Sequence, residues 1–149
     1  MRVALMFAVF AVAVPDRPDP TPREAKTLAD QLLGNWQSVR LIVYGNVNPP
    51  NQQDGDHTTI DRGRWVSFKQ GIQKDGMPTT YTIDITKSPA VIDFVVKQGA
   101  MDIKLIGIIK IEGDLLTVCY VTDRLARPTE FASAPNSQTS LLEMKRLKK

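Results

Sequence analysis

Apolar residues follow two different periods along this chain. Between Pro22 and Leu33 they recur at helical spacing. Ala25, Leu28, Ala29 and Leu32 stand at i, i+3, i+4 and i+7 and make one stripe. Thr21 suits the N-cap, Pro22 the first helical position, and Glu24 stands three residues after the cap, as a capping box requires. Gly34 supplies the stop. These positions predict a short amphipathic helix over Pro22–Leu33.

After Gly34 the period falls to two. Strands are predicted over Trp36–Tyr44, Arg64–Lys69, Thr79–Thr86, Val91–Lys97, Ile103–Ile111, Leu115–Val121 and Thr139–Arg146, with a shorter one around Thr129–Phe131. In the Thr79 segment Tyr81, Ile83 and Ile85 share one face. In the Ile103 segment Ile103, Leu105, Gly107, Ile109 and Ile111 fall together, with Lys104 and Lys110 opposite. Turn residues separate the runs: Lys74–Gly76, Lys87–Pro89, Gln98–Gly99 and Glu112–Asp114. In the last, Gly113 or Asp114 would take the positive φ of a tight hairpin. Short strands punctuated in this way make an antiparallel sandwich or barrel. Gly45 to Gly63 is polar and rich in Gly, Pro and Asn, and reads as one long loop.

The N-terminus changes the picture of where the protein works. Arg2 precedes an apolar run, Val3 to Val14, and Ala11-Val12-Ala13 fits a small-x-small cleavage pattern. The run is too short to span a bilayer as a helix. Residues 1–13 therefore read as a secretory signal, 14–21 as a proline-rich linker and 22–149 as one domain. The expected location is extracytoplasmic, either periplasmic or secreted. The net charge of +3 changes less, because its basic residues are scattered apart from the tail Lys145–Lys149. No stripe of cations interleaved with aromatics points to nucleic acid.

Candidate chemistry is sparse. The one cysteine, Cys119, excludes an internal disulfide and sits in the apolar run "LLTVCYV", as a small buried hydrophobe would. The one histidine, His57, lies with Asp54, Asp56 and Asp61 in a spacing that matches no calcium loop, and it reads as part of a solvated loop. No phosphate-binding glycine loop is present, and no cofactor is expected.

The most informative pair is Trp36 and Arg146. Gly34-x-Trp36 stands where the helix hands over to the first strand. Arg146 shares a face of the last strand with Leu142 and Met144. An inward arginine keeps its charge and needs a partner, and an indole face is a good one. If the two meet, the first and last strands are neighbours and the sheet is closed. Near the end of the chain, Pro128 in Arg127–Phe131 argues for an edge, a bulge or the first residue of a strand. Phe131 is expected to pack inward there, with Glu130 as partner to a nearby arginine.

Several linked stretches carry a resemblance. They are "GIIKIEGDLLTVCY" (Gly107–Tyr120), "RPTEF" (Arg127–Phe131), "LLEMKR" (Leu141–Arg146) and "SPAVIDF" (Ser88–Phe94). Together with Gly34-x-Trp36, they resemble the lipocalin-like (calycin) domain family expanded in planctomycete bacteria, over Leu32 to Arg146. The chain departs from that pattern around Asn48–Thr59. The resemblance implies an all-β, antiparallel up-and-down barrel of about eight strands with a short N-terminal helix. It carries no established activity.

Three functions follow from such a barrel. The first is binding of a small apolar ligand, with the helix closing one end and the long loop lying over the other. Trp36, Tyr81, Arg127, Glu130 and Arg146 are the candidate contacts. The second is a structural or interaction module with a filled interior. The third is an enzyme, which needs a polar cluster in a cleft, and Arg127, Glu130 and Arg146 are the groups that would converge.

Overall fold

Trp36 on the first strand stands opposite Arg146 on the last, and that pairing closes the sheet on itself. The computed structural model describes residues 26–48, 57–69, 72–73 and 79–148. It contains helix α1 (Leu28–Leu32) and strands β1 (Gly34–Val43), β2 (Asn46–Asn48), β3 (His57–Asp61), β4 (Arg64–Lys69), β5 (Ile72–Gln73), β6 (Thr79–Asp84), β7 (Ala90–Gln98), β8 (Met101–Glu112), β9 (Leu115–Thr122) and β10 (Ser140–Arg146). Eight of these strands, in the order β10-β9-β8-β7-β6-β4-β3-β1, form an antiparallel barrel that β10 closes on β1. β2 folds back to pair antiparallel with the end of β1, and β5 pairs with β4. The predicted all-β barrel is the observed fold.

Alternation sorts the residues by face. Trp36, Ile60, Trp65, Tyr81, Ile92, Phe94, Ile109, Leu116, Val118 and Met144 point inward and make the core, joined by Leu32 of α1. Removing an indole as deeply buried as Trp36 typically costs about 3–5 kcal/mol. Gly113 takes the positive φ of the β8–β9 turn, as its hairpin sequence requires.

One end of the barrel is sealed by α1 and the end of β10. Arg146 lies 4.1 Å over the Trp36 ring. Its Nη1 donates to the Leu33 carbonyl at 3.1 Å and its Nη2 to the Gln31 carbonyl. Trp36 Nε1 donates to the Leu32 carbonyl at 2.8 Å. Three carbonyls at the helix C-terminus, which the helix itself leaves without partners, are thus satisfied by two side chains. Gly34 has φ +127°, and a Cβ there would stand 3.3 Å from Arg146 Nη1. Glycine lets the chain leave the helix beneath the guanidinium.

Four expectations need correction. The helix does not run over Pro22–Leu33. Thr27 has φ −59° and ψ 157°, and its hydroxyl accepts from the Asp30 N–H, so the helix begins at Leu28. Thr21 to Ala25 lie outside the described residues. Gly45–Gly63 is not one loop, because it carries β2 and the barrel strand β3. β3 hides its alternation behind threonine: Thr58 and Ile60 are both buried, but only one is apolar. His57 belongs to that strand and stacks on Phe68, with ring centroids 4.5 Å apart. The Thr79 strand ends at Asp84, whose carboxylate accepts from the Thr86 N–H and hydroxyl and turns the chain. Ile85 is consequently exposed.

The fourth correction concerns Arg127–Phe131. No strand forms there. Residues 123–139 run as a strap over the outside of the barrel. Ile108, Cys119 and Leu141 face outward and form a second apolar cluster, flanked by Ile42 and Val91, and Phe131 packs on it from outside. Phe131 is covered, but by the outer face rather than the interior. Lys110 lies 4.9 Å over its ring. Arg127 Nη1 donates to Asp93 Oδ1 at 2.6 Å and to the Gly107 carbonyl at 2.8 Å. Glu130 is exposed and makes no ion pair with any described residue. Ser133 Oγ accepts from the Gly45 N–H and donates to the Thr139 carbonyl, tying the strap to the β1–β2 turn.

Two outcomes are expected. Arg146→Ala removes the stacked cation and leaves helix carbonyls without donors, so urea unfolding should show a loss of about 2–4 kcal/mol, with Arg146→Lys recovering only part of it. Arg127→Met frees the strap while leaving the barrel closed. It should speed the reaction of Cys119 with a thiol reagent under native conditions, with little change in the circular dichroism of the sheet.

Candidate ligand cavity

The barrel interior is filled unevenly. Near α1, the inward positions carry Trp36, Ile60, Ile92, Ile109, Leu116 and Met144, and these pack against one another. Toward the other end the walls stand apart around a cavity of about 160 Å³. It is lined by Trp65, Ser67, Thr79, Phe94, Val96, Leu105, Val118, Tyr120 and Leu142. The lining comes from six strands, and in each the residue is an inward one.

Three aromatic rings shape the space. Trp65 meets Phe94 edge-to-face at 5.2 Å between centroids, and Phe94 meets Tyr120 at 6.4 Å. Trp65 also holds Tyr81 edge-on at 6.3 Å, which anchors it from below. Such contacts fix each ring plane by its quadrupole as well as by area. Polar groups are few. Ser67 Oγ lies 3.4 Å from Thr58 Oγ1 on the neighbouring strand. Burial pushes the Tyr120 phenol up from its ordinary pKa, while a hydrogen bond with Ser140 draws it partly back. No buried side-chain nitrogen or oxygen among the described residues lacks a hydrogen-bond partner.

None of the five residues singled out from sequence lines this cavity. Trp36 and Arg146 are brought together, but as the seal of the opposite end. Tyr81 points inward, and its hydroxyl donates to the Asp61 carbonyl at 2.9 Å, beneath the cavity floor. Burial raises its phenol pKa as well. Arg127 and Glu130 belong to the strap outside the barrel. Arg127, Glu130 and Arg146 do not converge: Arg127 is held by Asp93 and backbone carbonyls of β7 and β8, and Arg146 by α1, Trp36 and Asp114.

The true lining was within reach of the alternation. Trp65 and Ser67, Phe94 and Val96, Val118 and Tyr120 each fall on the inward face of a predicted strand. Alternation says which residues face inward, not at which level the packing opens. Among the described residues, no cluster of three or more His, Cys, Asp or Glu could hold a metal, and no helix is long and apolar enough to cross a membrane. Asp54 and Asp56 lie outside the described residues.

The buried acids set an alkaline limit on stability. Tyr81, Tyr120 and Cys119 all have raised pKa values in the folded chain, each chiefly through burial. Their contribution is complete below the unfolded pKa values, about 8.5 for a thiol and about 10 for a phenol, and is lost as pH climbs through the higher folded values. Stability in urea should therefore fall from about pH 9 upward. In ultraviolet absorbance Tyr81 and Tyr120 should ionise above the ordinary phenol range.

Compared with known protein families, curated proteins and solved structures, the chain matches none.

Proposed function

We propose that this protein is a small-molecule binding module whose barrel takes one compact apolar group, about the size of a single aromatic ring. The observation that carries this reading is the cavity of about 160 Å³ walled by Trp65, Phe94 and Tyr120. A dry apolar cavity of about 150 Å³ in another protein accepts benzene, so the volume here suits a ring and not a long acyl chain. The ends of the barrel also differ in the right sense. One is locked by α1, Trp36 and Arg146, which leaves the other for entry.

The leader-like N-terminus supports an extracytoplasmic place of work. The linked motifs from Gly34-x-Trp36 to Leu141–Arg146 support membership of the planctomycete lipocalin-like group. A second reading, a structural module with no ligand, draws on the same volume. Pockets for drug-sized molecules usually span about 300–1,000 Å³, and this one is smaller.

Toluene is the simplest probe. The cavity reading expects saturable binding by calorimetry and quenching or shifting of tryptophan fluorescence from Trp65. Leu105→Trp, which fills the space from β8, should abolish binding while leaving the unfolding midpoint within a few degrees. If the wild-type protein shows no saturable uptake of toluene, the ligand reading fails and the structural module stands.

A further inference from the structure

The inward positions directly beyond the cavity, on the strands that line it, have a composition of their own. Two residues along a strand is one step on the same face, about 6.6 Å. One step from Ser67 on β4 is Lys69. One step from Val96 on β7 is Gln98, from Leu105 on β8 is Ile103, from Tyr120 on β9 is Thr122, and from Leu142 on β10 is Ser140. All five lie toward the end away from α1. The apolar ring of the cavity thus gives way to a rim that is mostly polar. Among these five described positions Lys69 is the charged one, and none of the five is a carboxylate.

Lys69 is exposed and makes no ion pair with any other described residue. The five ion pairs among described residues are formed by other cations, each beside a carboxylate. The long flexible stem of Lys69, at the end of β4, gives its ammonium the reach to meet a group that emerges from the cavity. The hydroxyl of Thr122 and the amide of Gln98 add hydrogen-bond donors on the facing walls, while the Ser140 hydroxyl is engaged with Tyr120. Donors with one cation around an aromatic well match a ring that carries an anionic group.

We infer that the ligand of this barrel is a compact aromatic acid, its ring in the cavity and its carboxylate at the rim beside Lys69. This rests on the cavity reading and adds the chemical class. The ring supplies the burial, and the rim cation discriminates the charged compound from its neutral analogue. An attraction between unit charges near a protein surface is enough for such selectivity, and it weakens with salt.

The test compares benzoate with benzyl alcohol and toluene on the full chain by calorimetry at pH 7 and low salt. Benzoate should bind about tenfold more tightly than benzyl alcohol, which corresponds to one modest charge interaction. Lys69→Met keeps the stem and removes the charge. It should bring the two within about twofold, without changing toluene affinity. Lys69→Arg should restore the preference, and added salt should erode it. Equal affinity of wild type for benzoate and benzyl alcohol, or a preference that survives Lys69→Met, overturns the inference while toluene binding still upholds the cavity. Failure of all three compounds to bind overturns both.

Discussion

The guanidinium of Arg146 joins the last strand to the helix and first strand, which lie at the other end of the described chain. It stacks on Trp36 of the first strand, sits on the last, and hydrogen-bonds the helix carbonyls that precede the first. Each contact depends on the others. The charge stays partly buried beside the indole because the carbonyls solvate it, and the helix end is stable there because the arginine and Trp36 Nε1 supply the missing donors. Closure of the barrel and sealing of one end are therefore one event. With that end filled, the space enclosed by the remaining strands is left at the other.

The strap acts on the opposite surface. β7 to β10 and β1 bury apolar residues on both faces: Ile92, Ile109 and Val118 inside, Ile108, Cys119 and Leu141 outside. A barrel wall facing water on its outer side would leave the second set exposed. Residues 123–139 cover it with Phe131 and are pinned by Arg127 to Asp93 and by Ser133 to Gly45. The long connection between β9 and β10 is thus part of the packed structure, and the chain has already left strand geometry at the turn after Thr122, ahead of Pro128.

Much of this was legible in the residues. The strands β4, β7, β8 and β9 carry aliphatic and aromatic alternation and appeared where they were expected, and the Trp36–Arg146 contact followed from the need of an inward arginine for a partner. β3 was hidden because its inward positions are Thr58 and Ile60, and a threonine looks polar in any hydrophobicity pattern although its methyl packs inward. Phe131 was assigned to the interior because apolarity alone does not say which side of a wall a residue covers. The cavity was missed for a related reason. Its lining residues are ordinary core residues by type, and only the three-dimensional distance between opposite walls separates a packed level from a hollow one.

The central claim is that ligand space lies on the side of Trp65, Phe94 and Tyr120 and that the Trp36–Arg146 end is closed. Nuclear Overhauser contacts from isotope-labelled toluene bound to the protein measure this directly. The account predicts contacts to the side chains of Phe94, Leu105 and Tyr120 and none to Trp36 or Phe131. Contacts to Trp36, or to Phe131 on the outer face, would contradict it.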